Sequence, residues 1–367
     1  MEIKPQIKMN KSNFAVIMAG GIGSRFWPMS KENKPKQFID ILGTGETLIQ
    51  QTHRRLNKIC PKENILVVTN KNYKDLCLEQ LIDIDQDNIL CEPTSRNTAP
   101  CIAYAAFKII NRDPNANMIV APSDHLITNE SRFTKIVSDG MKMTSSSNIL
   151  LTIGIQPSRP DTGYGYIQFE QDSLVSDSRI NKVKTFTEKP NQELALQFLD
   201  SGDFLWNSGI FMWSAKTIIK KFRKYLRDIY DIFEDGKNHY NTSKEIDYIN
   251  RMFPACKNIS IDYGIMEKSN NVYVFPADFG WSDLGTWSSL YTHLQIDKQE
   301  NTIQGKNVFV YNSNKNIINV PDSKTVILQG LNGYIIVEDE NQLLICRRED
   351  EQKIKLFVAE VKKKRKK

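Results

Sequence analysis

The sequence predicts an α/β protein with a doubly wound, mostly parallel, Rossmann-like sheet and a small C-terminal all-β domain, for which a short β-helix is one option. Two observations predict this fold class. Short apolar runs alternate with segments of helical spacing over about the first 150 residues, which is typical of parallel strands joined by helices. From about residue 300, β-rich runs broken by Asn, Asp and Gly replace the helical pattern.

The predicted elements follow in chain order. The first part has the strands FAVIMAG, NILVVTN, NILCE and NMIVAPSDH, separated by the helices TLIQQTHRRLNKIC, YKDLCLEQL and TAPCIAYAAFKII. The middle part adds the strands ILLTIGI, GYGYIQFE and VKTFTEKP, a helix in NQELALQFLDSG and one long amphipathic helix over 215–236. These patterns predict a first domain over 1–295, a β-rich domain over 296–360 and a basic disordered tail over 361–367.

The composition is that of an ordinary soluble globular protein, with 40% apolar and 25% charged residues. The net charge of +6 is carried by the basic run at 362–367, so the rest of the chain is neutral overall and offers no basic field for nucleic acid. No apolar run is long enough to span a membrane, and the first residues have no signal-peptide core. The six cysteines are scattered without C-x-x-C pairs, which argues against a zinc site or a disulfide framework and favours a cytoplasmic location.

The first predicted strand leads into a glycine-rich turn, AGGIGSRFWP. Gly21 and Gly23 fit the dinucleotide-binding pattern G-x-G-x-x-G, but Phe26 stands at its third glycine, and no P-loop pattern occurs. The second strand also lacks the acidic residue that a Rossmann oxidoreductase needs. Small residues let backbone N–H groups approach phosphate, and Arg25 and the Lys34/Lys36 pair add fixed positive charge. The stretch is therefore interpreted as a polyphosphate site of another kind.

Two aspartates are candidate magnesium ligands. Asp124 follows the buried strand MIVAP, and Asp283 lies in the tight segment FGWSDLGTW. Taken alone, Asp124 fits a helix N-cap as well as a metal site, and an Asp between glycines is usually a turn residue. The pair favours a metal site, because one Asp rarely holds Mg²⁺ alone. His125 is interpreted as structural or as a support for a neighbouring ligand residue rather than as catalytic.

The loop EPTSRNTAP precedes a helix. Asn97 or Thr98 can cap this helix. Glu92, Arg96 and Asn97 could also read the edge of a purine, because guanine presents N–H donors that a carboxylate accepts. Both interpretations stay open.

Three further motifs place polar residues in or after strands. FTEKP puts Glu188 and Lys189 on alternate faces of a strand end, with a surface ion pair as the alternative. LWNSGIFMW buries Asn207, whose amide must be hydrogen-bonded to backbone or to a ligand. DTGYGYI suits close approach to a sugar ring, although a hairpin gives the same letters.

Together these motifs resemble those of the mannose-1-phosphate guanylyltransferases, the GTP-using branch of the sugar nucleotidylyltransferases. The similar stretches are GGIGSRFWP, KPKQF, EPTSRNTAPCIA, PSDH, TGYGYI, EKP, NSGIFMW, SIDYGIMEK and FGWSDLGTW, in unbroken order over 13–290. The glycine-rich turn and EKP belong to the whole superfamily, whereas KPKQF, RNTAPCIA and FGWSDLGTW are more specific to the guanylyl branch. Some members carry a fused cupin-like isomerase domain after this region, and about 70 remaining residues are too few for it, so a bifunctional enzyme is not expected.

The resemblance implies a Rossmann-like nucleotidyltransferase that transfers GMP from GTP to α-D-mannose 1-phosphate, giving GDP-mannose and pyrophosphate. The sugar phosphate would attack the α-phosphorus in line, assisted by Mg²⁺. The implied catalytic residues are Arg25, Lys36, Asp124 and Asp283, and the two aspartates would hold the metal. The implied nucleotide-binding residues are Ala19, Gly20, Gly21, Gly23, Glu92, Arg96, Asn97 and Thr98. The implied sugar-phosphate residues are Gly165, Glu188, Lys189 and Asn207.

The partners expected are therefore small-molecule substrates, with no nucleic acid and no membrane. Two alternatives stay open: the same chemistry on another nucleoside triphosphate and hexose 1-phosphate, and a catalytically silent relative that binds a nucleotide sugar. Asp262 lies in the motif SIDYGIMEK without an assigned role. A homodimer through the β-rich domain is also left open.

Overall fold

The structure is a computed structural model that describes residues 9–170 and 179–365. Its strands are β1 (Asn13–Ala19), β2 (Ile65–Asn70), β3 (Ile89–Glu92), β4 (Asn117–Pro122), β5 (Leu126–Ile127), β6 (Leu150–Ile155), β7 (Gly165–Phe169), β8 (Asn181–Glu188), β9 (Phe204–Ser214), β10 (Val272–Ala277), β11 (Trp281–Ser282), β12 (Thr302–Gln304), β13 (Asn307–Tyr311), β14 (Ile317–Asn319), β15 (Thr325–Gln329), β16 (Tyr334–Asp339) and β17 (Gln342–Arg347). Its α-helices are α1 (Leu48–Leu56), α2 (Lys74–Gln80), α3 (Thr98–Arg112), α4 (Glu130–Ser146), α5 (Gln192–Ser201), α6 (Ala215–Tyr225), α7 (Arg227–Asp235), α8 (Glu245–Met252), α9 (Trp287–Tyr291) and α10 (Ile354–Arg365).

The chain divides into two compact units, and the first contains the large sheet. This unit comprises the residues up to Gly20, Thr52–Ser123 and Ile127–Trp281. Within the described part of the chain, nine strands form one sheet in the order β3-β2-β1-β4-β9-β6-β10-β8-β7. The pairs β1–β2, β1–β4, β2–β3 and β6–β10 are parallel, whereas β9 runs antiparallel to β4, β6 and β7. The predicted α/β class is confirmed, with parallel pairing concentrated around β1 and mixed pairing towards β7.

Helices cover both faces of this sheet, as a doubly wound fold requires. Met118 of β4 belongs to the apolar cluster that also contains Ile102 of α3 and Phe222 of α6. Its neighbour Asn117 instead donates a hydrogen bond from Nδ2 to the backbone carbonyl of Met141 in α4, at 2.7 Å. Because successive strand residues point to opposite faces, α3 and α4 lie on opposite sides of the sheet.

The second unit contains the strands of the C-terminal region. It comprises Gly21–Gln51, Asp124–Leu126 and the residues from Ser282 onward. Strands β12, β14 and β16 pair in parallel, β17 adds antiparallel to β16, and β13 pairs in parallel with β15. Asn316 donates from Nδ2 to Asn301 Oδ1 at 3.0 Å and accepts from Tyr334 N at 2.8 Å, which links successive turns of the chain. The predicted strand-rich C-terminal region is confirmed, and its parallel stacking is the pairing of a short β-helix.

Three predicted boundaries differ in the structure. The second unit is discontinuous in sequence, so the glycine-rich turn groups with the C-terminal strands and a single division at residue 295 does not describe the chain. The long helix over 215–236 is two helices, because Leu226 leaves helical geometry, with φ −136° and ψ 62°. Residues 361–365 continue α10 rather than beginning a disordered tail, since Lys and Arg are good helix formers. Residues 366 and 367 lie outside the described residues.

Candidate functional site

The turn that follows β1 has one position that only glycine fits. Gly23 has φ +73°, and a Cβ there would lie 2.5 Å from Lys36 Cβ. The backbone N–H of Lys36 donates to the carbonyl of Ile22 at 3.0 Å, which holds the two segments together. A Cβ at Gly21 would meet nothing within 4 Å. The turn therefore packs against Lys36 at Gly23 and leaves open space at Gly21.

Lys36 ties this turn to both aspartates. Its side chain is buried, and Nζ forms an ion pair with Asp124 Oδ2 at 2.8 Å. The same atom donates to the backbone carbonyl of Asp283 at 2.8 Å and to that of Leu284 at 3.0 Å. An ammonium group has three donors, so these partners account for all of them. Lys36 is thus a fixed cation between the two predicted metal ligands.

The two aspartates line a cavity of about 190 Å³ in the second unit. Its lining residues are Gly23, Arg25, Phe26, Lys36, Asp124, His125, Asp283, Leu284 and Gly285. Burial by itself would raise the pKa of Asp124, but the positive charges of Lys36 and His125 outweigh it and lower this pKa below its usual value. Asp124 is therefore ionised at neutral pH.

The donor set of this cavity fits a magnesium ion. In the described ranges, no cluster of three or more His, Cys, Asp or Glu side chains could hold a metal alone. Mg²⁺, however, is commonly held by one or two carboxylates while substrate phosphates and water supply the other oxygens. Two aspartates lining one cavity satisfy that requirement.

Arg25 also lines this cavity and is exposed at its surface. Its Nε donates to Gln352 Oε1 at 2.8 Å, and its backbone carbonyl accepts from Trp287 Nε1 at 3.0 Å. The four residues predicted as catalytic, Arg25, Lys36, Asp124 and Asp283, are therefore brought together in the second unit.

The first unit contains a separate polar cluster around Asn207. Its Nδ2 donates to Asp262 Oδ1 at 3.0 Å, and its Oδ1 accepts from Thr152 Oγ1 at 3.0 Å. Burial, reinforced by the negative charge of Glu188, raises the pKa of Asp262 to about 7. Sequence reasoning assigned Asp262 no role, because its partner Asn207 lies 55 residues away in the chain. The Asn207 amide is hydrogen-bonded as expected, but it bonds to the side chains of Asp262 and Thr152 rather than to backbone or ligand alone, and the residue is half-buried rather than buried.

Glu188 and Lys189 do not point to alternate faces of a strand. Strand β8 ends at Glu188, and Lys189 has φ +49°, so the alternation ends before it. Lys189 Nζ turns back and pairs with Glu188 Oε1. Burial would lower the pKa of Lys189, but this hydrogen bond and the negative charges of Glu188 and Asp262 raise it.

Gly165 lies directly opposite Glu188 in the β7–β8 pair. A Cβ at this position would lie 2.4 Å from Glu188 Oε2. Glycine at position 165 therefore leaves the space that the Glu188 carboxylate occupies.

The loop after β3 does form the predicted helix cap. Asn97 has φ +67° and accepts from Thr98 N at 2.9 Å, which caps α3. Thr98 Oγ1 accepts from Ile261 N at 2.9 Å. Arg96 donates from Nη2 to the backbone carbonyl of Pro254 at 2.6 Å. The side chains of Arg96, Asn97 and Thr98 therefore form hydrogen bonds within the protein.

Glu92, at the end of β3, is not fully hydrogen-bonded by the described residues. Its side chain is buried, and Oε1 has no hydrogen-bond partner among the described residues. Burial raises its pKa to about 8. Buried polar atoms are almost always hydrogen-bonded, so this oxygen is available to a donor from outside the described residues, such as a water molecule or a ligand.

The next predicted site residue, Ala19, lies at the end of β1. Its carbonyl accepts from Thr69 Oγ1 at 2.8 Å. A Cβ at Gly20 would meet nothing within 4 Å.

Comparison with known proteins identifies the family. A family model described as nucleotidyl transferase matches residues 14–300. The chain belongs to the nucleotidyl transferase family. This nucleotidyl transferase is 36% identical over 360 residues to mannose-1-phosphate guanylyltransferase 2 of Escherichia coli O157:H7, covering 95% of this chain and 73% of that protein. It is 34% identical over 347 residues to the alginate biosynthesis protein AlgA of Pseudomonas putida, covering 94% of this chain and 70% of that protein.

A solved structure supports the same fold for this nucleotidyl transferase. A Thermus thermophilus protein described as mannose-1-phosphate geranyltransferase matches with a TM-score of 0.84 and 25% identity, covering 96% of this chain and 99% of that one. Among residues 9–170 and 179–365, no helix combines the length and apolarity needed to cross a membrane.

Proposed function

We propose that this nucleotidyl transferase transfers GMP from GTP to α-D-mannose 1-phosphate, releasing pyrophosphate and forming GDP-mannose. Two of its relatives are named for guanylyl transfer to mannose 1-phosphate or for alginate biosynthesis. The observation that carries the proposal is the arrangement of Lys36, which holds Asp124 and the Asp283 segment beside Arg25 in one cavity.

This arrangement suits phosphoryl chemistry that needs no general base. A sugar phosphate is largely dianionic at pH 7, because its second pKa is about 6, so it can attack without losing a proton to the protein. The task left to the enzyme is to position the reactants and to neutralise charge at the α-phosphorus and the leaving pyrophosphate. Arg25 would contact phosphate oxygens in bidentate fashion, and Lys36 would act as a fixed positive charge.

The triphosphate would lie along the glycine-rich turn. The backbone N–H groups of Gly20, Gly21 and Gly23 would face phosphate oxygens, and the open space at a Gly21 Cβ is consistent with this use. Asp124 and Asp283 would hold Mg²⁺. When bound, Mg²⁺ would neutralise phosphate charge.

Other residues would bind the base and the sugar. Glu92 would accept from the N–H groups of guanine, which would give its orphan oxygen a partner. Arg96, Asn97, Thr98 and Ala19 would shape the base site through their backbone and fixed side chains. Lys189 would bind the sugar phosphate, and Glu188 and Asn207 would bind sugar hydroxyls above Gly165.

We place the reaction in the cytoplasm. The cysteines of the described chain are all free thiols, which fits a reducing compartment. Dimer formation is a separate prediction, for which the molecular mass in solution is the measurement.

The test is pyrophosphate release with Mg²⁺, comparing GTP with ATP and mannose 1-phosphate with glucose 1-phosphate. Release with GTP and mannose 1-phosphate alone is the expected result. Release with another pair would support the same mechanism with a different nucleotide or sugar phosphate as substrate. Absence of release with every pair, in protein that still binds GTP, would overturn the proposal in favour of a silent binding protein.

A further inference from the structure

The C-terminal segment reaches the candidate catalytic arginine. Gln352 lies in the short helix Arg348–Lys353, and its Oε1 accepts from Arg25 Nε at 2.8 Å across 327 residues of sequence. Both residues belong to the second unit. The guanidinium of Arg25 is thus held by an amide from the far end of the chain.

Neighbouring contacts fix the segment that carries Gln352. Glu351 Oε2 accepts from the backbone N–H of Ser288 at 2.8 Å. Ile354, the first residue of α10, is fully buried in the apolar cluster that also contains Phe26 and Trp287. Gln352 therefore stands between two anchored residues, so its amide is presented from a fixed backbone.

The backbone of Arg25 is anchored to the same region. Trp287 Nε1 donates to the Arg25 carbonyl at 3.0 Å, and the rings of Trp287 and Phe26 lie 5.0 Å apart, centroid to centroid. Both ends of Arg25, its carbonyl and its guanidinium, are thus held by residues that come 262 and 327 positions later in the chain.

We propose that Gln352 is a positioning residue for Arg25. A hydrogen bond at Nε uses the donor nearest the aliphatic stem and leaves the outer edge, with Nη1 and Nη2, for bidentate contact with phosphate. An exposed arginine side chain otherwise samples many rotamers, and holding it in one of them lowers the entropy cost of contacting the transition state.

The chemistry of the acceptor supports this role. An amide oxygen orients the guanidinium without cancelling its charge, whereas a carboxylate would form an ion pair and compete with phosphate. The adjacent carboxylate, Glu351, is instead bonded to Ser288 N. The segment thereby presents a neutral acceptor to Arg25, while the carboxylate of the preceding residue is bonded to Ser288.

The inference rests on the proposed function, because Arg25 needs positioning only if it contacts phosphate. The test is a double-mutant cycle of wild type, Gln352→Met, Arg25→Ala and the double variant, measured by pyrophosphate release. Methionine keeps the length of the side chain and removes the acceptor. We expect Gln352→Met to lower kcat about tenfold with KM for mannose 1-phosphate unchanged, and to have no further effect in the Arg25→Ala background.

Gln342→Met is the matched control, because it makes the same substitution on β17 of the same unit. It should leave kcat unchanged. An equal effect of Gln352→Met with and without Arg25 would overturn the proposal, because the residue would then act independently of the arginine. Unchanged kcat in Gln352→Met would overturn it as well.

Two measurements separate this inference from folding effects and from the proposed function. The same four proteins are compared by calorimetry of GTP binding without mannose 1-phosphate, so that no turnover occurs. The coupling between positions 25 and 352 should also appear in these binding free energies. Gln352 is exposed, so the melting temperature of Gln352→Met should match that of wild type. If wild type releases no pyrophosphate, the proposed function fails; if wild type and Gln342→Met are active and the cycle shows no coupling, only the positioning role fails.

Discussion

Lys36 Nζ lies 2.8 Å from Asp124 Oδ2 and 2.8 Å from the backbone carbonyl of Asp283. One buried ammonium group therefore joins both aspartates of the cavity. Because one atom, Lys36 Nζ, makes both contacts, replacing Lys36 should displace the Asp124 carboxylate and the Asp283 backbone together.

Lys36→Met should lower kcat/KM by at least about 10²-fold, because it removes a fixed charge beside the proposed phosphate site. It should also lower the free energy of unfolding at pH 7 by about 1–3 kcal/mol, since Asp124 loses its partner. The pKa of Asp124 is lowered in the folded state, so this stabilisation is present above the usual carboxyl pKa and is lost as pH falls through the lowered one. Denaturant unfolding of both proteins at pH 7 and pH 3 measures the difference.

The control is Lys34→Met, which removes the other lysine of the predicted pair; its side chain is exposed and does not line the cavity. It should change stability and activity little. A stability loss in Lys36→Met that is the same at both pH values would contradict the ion-pair explanation.

Arg25→Ala should lower kcat/KM by about 10²–10³-fold, the usual cost of one electrostatic contact to a transition state. The melting temperature should change little, because the Arg25 side chain is exposed. Arg347→Ala, at a side chain that is 62% exposed on β17, is the control. Steady-state kinetics measure kcat/KM, and a loss below about tenfold would show that Arg25 is not a catalytic residue.

Gly23→Ala and Gly21→Ala should separate folding from ligand binding. Gly23→Ala should destabilise the protein by about 1–3 kcal/mol, because alanine disfavours φ +73° and its Cβ would clash with Lys36. Gly21→Ala should leave stability within about 0.5 kcal/mol of wild type, because its Cβ meets nothing. If the triphosphate lies on this turn, Gly21→Ala should still weaken GTP binding, and calorimetry measures it. Unchanged GTP affinity in Gly21→Ala would place the triphosphate elsewhere.

Asp262→Asn should change the pH dependence of stability. The pKa of Asp262 is raised to about 7, so the folded protein binds a proton that the unfolded chain has released above about pH 4. Its contribution is therefore full below the unfolded pKa and is lost as pH rises towards 7. Thermal melts from pH 5 to pH 8 should show wild type losing more stability than Asp262→Asn over this range; parallel curves would exclude the shift.

Glu92→Gln should abolish proton release on GTP binding. Glu92 has a pKa of about 8, so it is mostly protonated at pH 7, and guanine N–H donors would favour its charged form. Calorimetry in buffers of different ionisation enthalpy measures the released proton. Wild type should release a proton with GTP and not with ATP. A GTP complex that forms without proton release would argue that Glu92 does not contact the base.

Sequence reasoning succeeded where the chemistry is local. The strand that ends at Ala19 and the Asn97 cap of α3 each depend on residues within a few positions of one another. The grouping of Arg25, Lys36, Asp124 and Asp283 came from motif resemblance, and their assembly in one cavity agrees with it. Their catalytic roles stay predictions.

It failed at one strand end and where a distant contact decides. Lys189 was expected to continue strand alternation, but the strand ends at Glu188, and Lys189 adopts a left-handed backbone and pairs with its neighbour Glu188. Asp262 was noted in a motif but received no role, and Gln352 gave no signal, because their partners lie 55 and 327 residues away. Periodicity describes neighbours along the chain and has no access to contacts at that range.

The discontinuity of the second unit has a consequence for synthesis on the ribosome. Its first segment, Gly21–Gln51, is translated early, whereas partners of Arg25 and Lys36 belong to stretches from Ser282 onward. During most of translation, the glycine-rich turn therefore lacks the residues that fix it. The large sheet can assemble from residues already made, while the cavity around Lys36 is completed only after the stretch from Ser282 onward has been synthesised.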